Sequence, residues 1–242
     1  IIYLGNFLRG DFGVSYTKAG LTVNKVIADG FPFSLTIGIY ASLVVVFAGI
    51  LFGSVCALRQ NKLIDRFFMV LSTLGSTIPS FVLATGFLFL FSKTLGLVPA
   101  FGVDEVAGYI GPVLVIGAFP LSFITRLTRT SLVEVQQQDY IRTARSKGIS
   151  EFKVIYKHAL RNALLPVVTY IGPMVASIVT GSFVIETVFG IPGVGQLFTD
   201  SIVNRDYPLI MGITVFFAVL LVLAVLIVDL VYVLIDPRIK LD

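Results

Sequence analysis

The basic stretch at residues 139–166 reads DYIRTARSKGISEFKVIYKHALRNALLP, and it lies between two strongly apolar segments. In a membrane protein, a loop of this size and charge is more than a connection between spans. We interpret it as a surface on which a soluble partner acts. The apolar segments on either side of it are then predicted to be membrane spans.

The composition is that of a polytopic helical membrane protein. Of the 242 residues, 56% are hydrophobic and only 13% are charged, about half the share usual in globular proteins. The mean hydropathy is +0.95. A single cysteine, Cys56, excludes an intramolecular disulfide framework. With only one histidine, His158, neither a zinc site nor a Ser-His hydrolase is expected.

Five segments are long and apolar enough to cross a bilayer, which takes about 20 residues. They are residues 35–58, 67–91, 106–124, 163–185 and 209–235. The predicted fold class is therefore an all-α polytopic membrane protein. The chain begins at Ile1 without a methionine or a charged leader, so we expect a sixth span before it.

The connections between these segments differ sharply in charge. Thirteen basic residues lie in the first connection, the third connection (residues 126–161) and the tail, whereas five lie on the opposite side. The positive-inside rule then places the third connection and the C-terminus in the cytoplasm. We divide the chain into an extracytoplasmic segment (1–32), a transmembrane domain (33–235, with its cytoplasmic loop at about 134–162) and a cytoplasmic tail (236–242).

The first half of the cytoplasmic loop has the spacing of a helix. Tyr140, Thr143, Ala144 and Lys147 recur at i, i+3, i+4 and i+7, which indicates one helix face. Gly148 breaks this pattern, as expected of a residue that adopts positive φ readily.

A second short helix is predicted after the glycine. Ser150 can cap it and Glu151 suits its positive end, while Phe152, Ile155 and Tyr156 share a face. Aromatic residues surrounded by basic ones favour a protein-docking surface. An amphipathic loop helix lying on lipid headgroups accounts for the same pattern, and the residues alone leave both readings open.

The motifs then resemble a known family. Residues 139–148, together with HALRNALLP at 158–166, resemble the cytoplasmic signature loop of ABC-importer permeases, specifically the B-type permease subunit of the dipeptide/oligopeptide/nickel importer family. The general loop begins Glu-Ala-Ala, where this chain has Arg142, Thr143 and Ala144. The spacing from Gly148 to Pro166 is also longer, and both departures are similar to those of the peptide subfamily. Four further stretches are similar to the family: GDFGVS (10–15), TLGSTIPSF (73–81), ETVFGIPGVGQLF (186–198) and DPR (236–238).

The resemblance implies a type I ABC-importer transmembrane domain in the cytoplasmic membrane of a bacterium or archaeon. Its implied partners are a second homologous permease subunit, two ATP-binding subunits and an extracytoplasmic solute-binding protein, besides the lipid bilayer and without nucleic acid. This chain has no Gly-x4-Gly-Lys-Ser/Thr motif, so ATP and Mg are expected on the partner subunits and no cofactor on this chain. Peptides are the expected substrate, with nickel chelates, glutathione or another small solute as alternatives.

In that family the cytoplasmic loop inserts a short helix into a cleft of an ATP-binding subunit. The implied coupling residues are Tyr140, Arg142, Thr143, Ala144, Arg145, Lys147, Gly148, Phe152, Tyr156, Leu165 and Pro166.

Two other groups of residues have a functional and a structural reading. The hydroxyl residues Ser72, Ser76, Thr77 and Ser80 either line a polar pathway or allow helices to pack closely. The loop after the fourth span either forms a gate or binding-protein contact, or is simply a tight turn. Its candidates are Glu186, Phe189, Gly190, Pro192, Gly193 and Gly195.

A self-sufficient channel or secondary transporter is the competing class of function. That class predicts paired intramembrane charges or broken helices at mid-membrane, and from the sequence this chain offers only Asp229, the one clear acid inside a predicted span.

Overall fold

The computed structural model of the chain describes the backbone of Gly5 and of residues 9–235, and the side chains of the same residues apart from 229 and 231–235. The predicted tail at residues 236–242 and the side chain of Asp229 lie outside this description. Within it the protein is helical, with one isolated antiparallel bridge between Val14 and Thr22. The all-α prediction is confirmed.

The helices follow one another along the chain with short connections. They are α1 (Val23–Leu58), α2 (Leu63–Thr77), α3 (Ser80–Phe87), α4 (Ile110–Gln136), α5 (Asp139–Ser146), α6 (Glu151–Lys153), α7 (Leu160–Ala163), α8 (Leu165–Val179), α9 (Phe183–Phe189), α10 (Val194–Val203) and α11 (Tyr207–Ile235). A π-helical segment, Leu88–Thr94, continues α3, and another, Val154–Ala159, joins α6 to α7. A 3-10 turn, Val106–Tyr109, leads into α4.

Three described helices are long and apolar enough to cross a membrane: Val23–Leu58, Val106–Gln136 and Tyr207–Val228. Two bent pairs raise the number to as many as five, if Leu63–Thr77 with Ser80–Thr94 and Glu151–Ala163 with Leu165–Val179 each count as one span. These helices do not conflict with the five apolar segments predicted from the sequence, and the number of spans stays a prediction.

The helix bounds differ from the predicted spans because the length of an apolar stretch matches the thickness of the bilayer, whereas the helix can continue beyond it. Helix α1 already begins at Val23, so residues 23–32 of the predicted extracytoplasmic segment are helical. Its 36 residues extend about 54 Å, well beyond the ~30 Å hydrocarbon core. Helix α4 continues to Gln136, so the third connection begins later than residue 126.

Two predicted spans are interrupted by residues that cannot continue a helix. Residues 67–91 break between α2 and α3, where Ile78 is extended ahead of Pro79. Residues 163–185 break after α8, where Gly181 has a φ of +89°.

The chain packs as two compact units. The first contains Ile1–Ala41, Ser80–Ile116 and Val175–Asp242, and the second contains Ser42–Pro79 and Gly117–Met174. The core of the first unit is a cluster in which Val23 and Ile27 of α1 pack with Val194 of α10 and with Leu209 and Ile213 of α11.

Glycines bring the helices of the second unit close together. A Cβ at Gly53 of α1 would lie 2.6 Å from the Thr125 carbonyl oxygen, and one at Gly49 would lie 2.6 Å from Ile124 of α4. A Cβ at Gly75 of α2 would lie 2.5 Å from the Ser122 hydroxyl. Small residues spaced by four allow such close approach in membrane helices. Helix α4 is therefore the helix on which both α1 and α2 pack.

A buried carboxylate anchors the segment before α1 in the first unit. Asp206 accepts hydrogen bonds from the Ser15 hydroxyl (2.5 Å), from the Thr17 hydroxyl (2.8 Å) and from the backbone N–H groups of Tyr16 (3.1 Å) and Thr17 (3.2 Å). It also caps α11 by accepting from the Leu209 N–H at 3.3 Å. Burial by itself would raise the pKa of Asp206, but these hydrogen bonds together lower it to about 2.

We expect Asp206→Asn to loosen residues 13–22 while α11 remains folded. The native pKa lies below the ordinary value of 3.8, so the ionised form contributes stability above that value, and the contribution is lost as pH falls through about 2. The pKa shift of Asp206 corresponds to about 2 kcal/mol of stabilisation. Its loss in Asp206→Asn should make amide hydrogen exchange in this segment roughly 30-fold faster near neutral pH.

The matched control is Asp200→Asn, which removes an exposed carboxylate from the neighbouring α10. Equal exchange rates in both variants would contradict the anchoring role of Asp206. The measurement is hydrogen exchange read by mass spectrometry.

Candidate functional site

The basic loop folds as two helical arms around Gly148, which confirms the predicted helix, glycine turn and helix. Helix α5 ends at Ser146, and Gly148 follows with a φ of +74°. A Cβ built on Gly148 would meet nothing within 4 Å. The glycine is therefore needed for its backbone conformation and not for lack of space.

Ser150 occupies the N-cap position of α6, but its side chain makes no capping hydrogen bond. The predicted side-chain cap is therefore wrong, although the backbone carbonyl of Ser150 does accept from the Val154 N–H at 3.0 Å.

The inner face of the loop is buried against the ends of two long helices. Its buried side chains form one cluster with Ala57 of α1 and Leu132 of α4. We call this the loop cluster; its members from the loop are Ile141, Ala144, Val154, Ala159 and Ala163. Of the four residues whose spacing predicted a helix face, Ala144 is buried in the cluster while Tyr140, Thr143 and Lys147 are exposed.

The outer face of the loop exposes two stacked aromatic rings. Phe152 is 69% exposed and Tyr156 is 52% exposed, and their ring centroids lie 4.4 Å apart. Tyr140 is also exposed, and its hydroxyl accepts a hydrogen bond from the Asn162 amide at 2.9 Å. An exposed aromatic pair on a firmly packed base is typical of a docking surface rather than of a flexible linker.

The basic residues of the loop do not all remain available to a partner. Arg145 makes a bidentate pair with Glu151, at 3.1 and 2.7 Å, which joins the two arms across Gly148. Its hydrogen bond to Glu151 raises the pKa of Arg145 above the ordinary value. Arg142 and Lys147 remain exposed, and Arg142 lies only loosely near Asp139 at 3.9 Å. Leu165 and Pro166 are exposed at the start of α8.

A buried ion pair fastens α4 to α2 in the same unit. Arg129 donates to the two carboxylate oxygens of Asp65 at 2.6 and 2.7 Å, and the Asn61 N–H donates to that carboxylate at 2.8 Å. Asp65 is only 2% exposed. The sequence placed Arg129 among the basic residues of the third connection, but the extra length of α4 puts it within the helix and in contact with an acid.

The four hydroxyl residues proposed for the pathway do not lie on one helix. Ser72 is buried and Ser76 half-buried on α2, Thr77 ends that helix, and Ser80 begins α3. The hydroxyls of Ser76 and Thr77 donate to the Thr73 carbonyl of their own helix at 3.1 and 2.7 Å. Such bonds satisfy a hydroxyl locally, as packing residues do in membrane helices.

The glycine-rich loop of the first unit is built around Glu186. This buried carboxylate accepts from the Gly195 N–H at 2.8 Å and the Gln196 N–H at 3.3 Å. A Cβ on Gly193 would collide with the Glu186 carboxylate and the Ser34 hydroxyl. Burial raises the pKa of the Glu186 carboxyl, and its hydrogen bonds offset only part of that effect.

The other members of the glycine-rich loop differ in exposure. Gly190 ends α9 with a φ of +61°, Phe189 is buried, and Pro192 is exposed. Among the described side chains no group of three or more His, Cys, Asp or Glu could hold a metal ion.

Sequence reasoning did not identify Asp65 or Asp206. Asp206 carried a local signal, because an acid ahead of Tyr207-Pro208 is typical of a helix N-cap. Its contacts with Ser15 and Thr17, and the contact of Asp65 with Arg129, join residues too distant in sequence for any spacing to show.

The chain is similar to membrane components of transport systems. A family model described as "Binding-protein-dependent transport system inner membrane component" matches residues 49–241. The dipeptide transport system permease protein DppB of Bacillus subtilis (strain 168) is 48% identical over 241 residues, covering 100% of this chain and 78% of the relative. The oligopeptide transport system permease protein OppB of Haemophilus influenzae is 43% identical, covering 99% and 79%.

Solved structures share the fold at low sequence identity. A chain of the MetNI methionine ABC transporter in an inward-facing conformation superposes with a TM-score of 0.69 at 16% identity, covering 85% of this chain and 94% of that chain. An amino acid ABC transporter with histidines gives a TM-score of 0.66 at 16% identity, covering 86% and 92%.

We expect removal of either partner of the Asp65–Arg129 pair to destabilise the second unit. Arg129→Gln leaves the buried Asp65 carboxylate without its partner, which costs about 3–5 kcal/mol, whereas Asp65→Asn leaves the partly exposed Arg129 unpaired and should cost less. The exposed Arg145–Glu151 pair is the matched control, and Glu151→Gln should cost at most about 1 kcal/mol. Thermal unfolding of the purified chain in detergent measures the loss of stability in each variant. Similar losses of stability at the two ion pairs would contradict the importance of burial.

Proposed function

The chain belongs to the family of binding-protein-dependent transport system inner membrane components, and on that premise we propose that it forms half of the membrane pathway of an ATP-driven importer of di- and oligopeptides. The family match covers residues 49–241, and the relatives named above are dipeptide and oligopeptide permeases at 48% and 43% identity. The same machinery could import nickel chelates, glutathione or another small solute.

One observation carries the mechanism. The loop exposes Phe152 and Tyr156 on its outer face, while its inner face is buried against Ala57 of α1 and Leu132 of α4. A partner that binds the aromatic pair therefore pushes on a rigid body and not on a tether. Rigid elements with packed interfaces transmit displacements that a flexible loop would absorb.

The displacement would reach further helices through two contacts of α4. Gly53 packs α1 against α4, and the Asp65–Arg129 pair fastens α2 to α4. Helices α1, α2 and α4 then move with the loop over their parts in the second unit. The Arg145–Glu151 pair keeps the two arms of the loop from separating under load.

The source of that push is a pair of ATP-binding subunits, which hold ATP and Mg while this chain itself catalyses no reaction. A second, homologous permease subunit supplies the other half of the pathway, and an extracytoplasmic solute-binding protein delivers the substrate. The chain crosses the cytoplasmic membrane of a bacterium or archaeon several times, with its C-terminus in the cytoplasm. The charge asymmetry of the connections supports this orientation.

The extracytoplasmic segments of the first unit are proposed to form the gate and the binding-protein contact. Burial of Glu186, Gly193 and Gly195 supports a role in fixing the shape of the loop, whereas the exposed Pro192 is available for contact. The pathway is proposed to be lined by Ser72, Ser76, Thr77 and Ser80, with hydroxyl packing as the alternative.

The decisive test is uptake of a labelled dipeptide by proteoliposomes. They would contain this chain with its second permease, its ATP-binding subunits and its solute-binding protein. We expect uptake to require ATP and every subunit. Uptake by this chain alone, without ATP, would instead favour a self-sufficient channel or secondary transporter.

The double variant Phe152→Ala/Tyr156→Ala tests the docking surface in the same assay. Loss of the aromatic anchors should weaken co-purification of the ATP-binding subunits at least ten-fold and abolish uptake. Phe47→Ala is the control, because Phe47 is equally exposed (71%) but lies within a membrane span. Unchanged co-purification of the double variant would refute the docking role.

Replacement of Gly148 separates ATP hydrolysis from transport. At a φ of +74°, a β-branched residue is strained, so Gly148→Val should distort the two arms and lower uptake per ATP hydrolysed while the chain remains in the membrane. Gly148→Asn is the control, since Asn tolerates the left-handed region and the site has open space. A normal transport-to-hydrolysis ratio in Gly148→Val would show that the turn geometry is not required.

A further inference from the structure

The turn between α1 and α2 forms an open basic cavity of about 550 Å³. Three basic residues contribute to its lining, which consists of Arg59, Asn61, Lys62, Leu63, Ile64 and Arg66. The cavity lies where one predicted span ends and the next begins, which is where we expect the boundary between hydrocarbon and water. Its volume is within the range of small-molecule sites, about 300–1,000 Å³.

The basic side chains of this cavity form no ion pair with the neighbouring acid. Asp65 lies within the same turn of chain, but both of its carboxylate oxygens are held by Arg129, and one also accepts from the Asn61 N–H. Arg59, Lys62 and Arg66 are all exposed, and the ion pairs found within the described residues involve none of them. The cavity therefore presents three cations to an anion from outside the chain.

The start of α2 adds to this potential. Lys62 stands at the N-cap and provides no side-chain hydrogen bond to the first turn. The first amides of a helix have no acceptor within the helix, and its dipole favours an anion at this end. The helix N-terminus adds to the positive potential of the basic side chains and is not by itself a site.

An exposed apolar ridge begins at the cavity and runs along α2. Leu63 lines the cavity and is 83% exposed. Four further exposed residues follow it at i+4, i+7, i+8 and i+11, which places them on the same helix face: Phe67, Val70, Leu71 and Leu74. The opposite face of α2 carries the buried Asp65 and Ser72. The anion site and the apolar ridge are thus continuous through Leu63.

We propose that this turn is a binding site for an anionic phospholipid, with the phosphate headgroup in the basic cavity and an acyl chain along the ridge. A free phosphate would satisfy the cations but would make no contact with the ridge. An anionic lipid matches both features, and each basic residue near an anionic membrane surface contributes roughly five-fold in affinity. The proposal depends on the chain lying in a membrane and not on the identity of the transported solute.

The test measures phosphatidylglycerol bound to the purified full chain in phosphatidylcholine nanodiscs. The triple variant Arg59→Gln/Lys62→Gln/Arg66→Gln should lose about a hundred-fold in preference for phosphatidylglycerol over phosphatidylcholine. The matched control, Lys153→Gln/Lys157→Gln/Arg161→Gln, removes the same charge from exposed positions in the cytoplasmic loop and should retain the preference. Unchanged thermal unfolding of both variants establishes that each remains folded.

A second variant tests the ridge. Phe67→Ser/Leu71→Ser should weaken phosphatidylglycerol binding while leaving the affinity of the basic cavity for inorganic phosphate unchanged. Displacement of the lipid by inorganic phosphate at equal concentration would make the cavity a simple anion site and overturn the proposal. Equal loss of the phosphatidylglycerol preference in the two triple variants would show that general surface charge attracts the lipid, and would also overturn the proposal. If the triple variant at residues 59, 62 and 66 lost a co-purifying protein subunit but no lipid, the surface would instead be a protein contact.

Discussion

The requirement that a buried charge be paired governs the second unit. Asp65 is almost inaccessible to solvent, and it remains tolerable because Arg129 and the Asn61 N–H hold its oxygens. That pairing fixes α2 on α4 at a defined register. The same helix α4 carries the glycine contacts of α1 and, at Leu132, the base of the cytoplasmic loop. A partner that docks at the loop surface, as proposed, would therefore act on helices whose relative positions are already fixed.

Buried acids organise the first unit as well, but with neutral donors. Asp206 is held by the hydroxyls of Ser15 and Thr17 and by backbone amides, and Glu186 by amides of the glycine-rich loop. The pKa values of the two carboxyls shift in opposite directions. The hydrogen bonds to Asp206 outweigh the effect of its burial and lower its pKa, whereas those to Glu186 do not, and its pKa is raised. One acid anchors the segment before α1, and the other shapes a turn in which a larger residue at Gly193 would not fit.

Sequence reasoning succeeded where the cause of a structure is local. Gly148 was predicted to break a helix, and it does so because its backbone adopts a conformation that other residues resist. The face of α5 was less predictable, because spacing gives the period of a helix but not which side is buried. Ala144 was expected among the coupling residues, but packing against Leu132 and Ala57 buries it. Arg145 was expected to serve a partner and instead pairs with Glu151 within the loop.

The sequence by itself determined the all-α membrane class, the five apolar segments and the two-armed basic loop. Each of these follows from composition and from interactions between residues close along the chain. Only the tertiary structure decided that Arg129 pairs with Asp65, that Asp206 anchors Ser15, and that the turn at Arg59 and Lys62 opens beside an apolar ridge. The free energy of a buried or exposed charge depends on which groups surround it in space, and no periodicity along the chain encodes that neighbourhood.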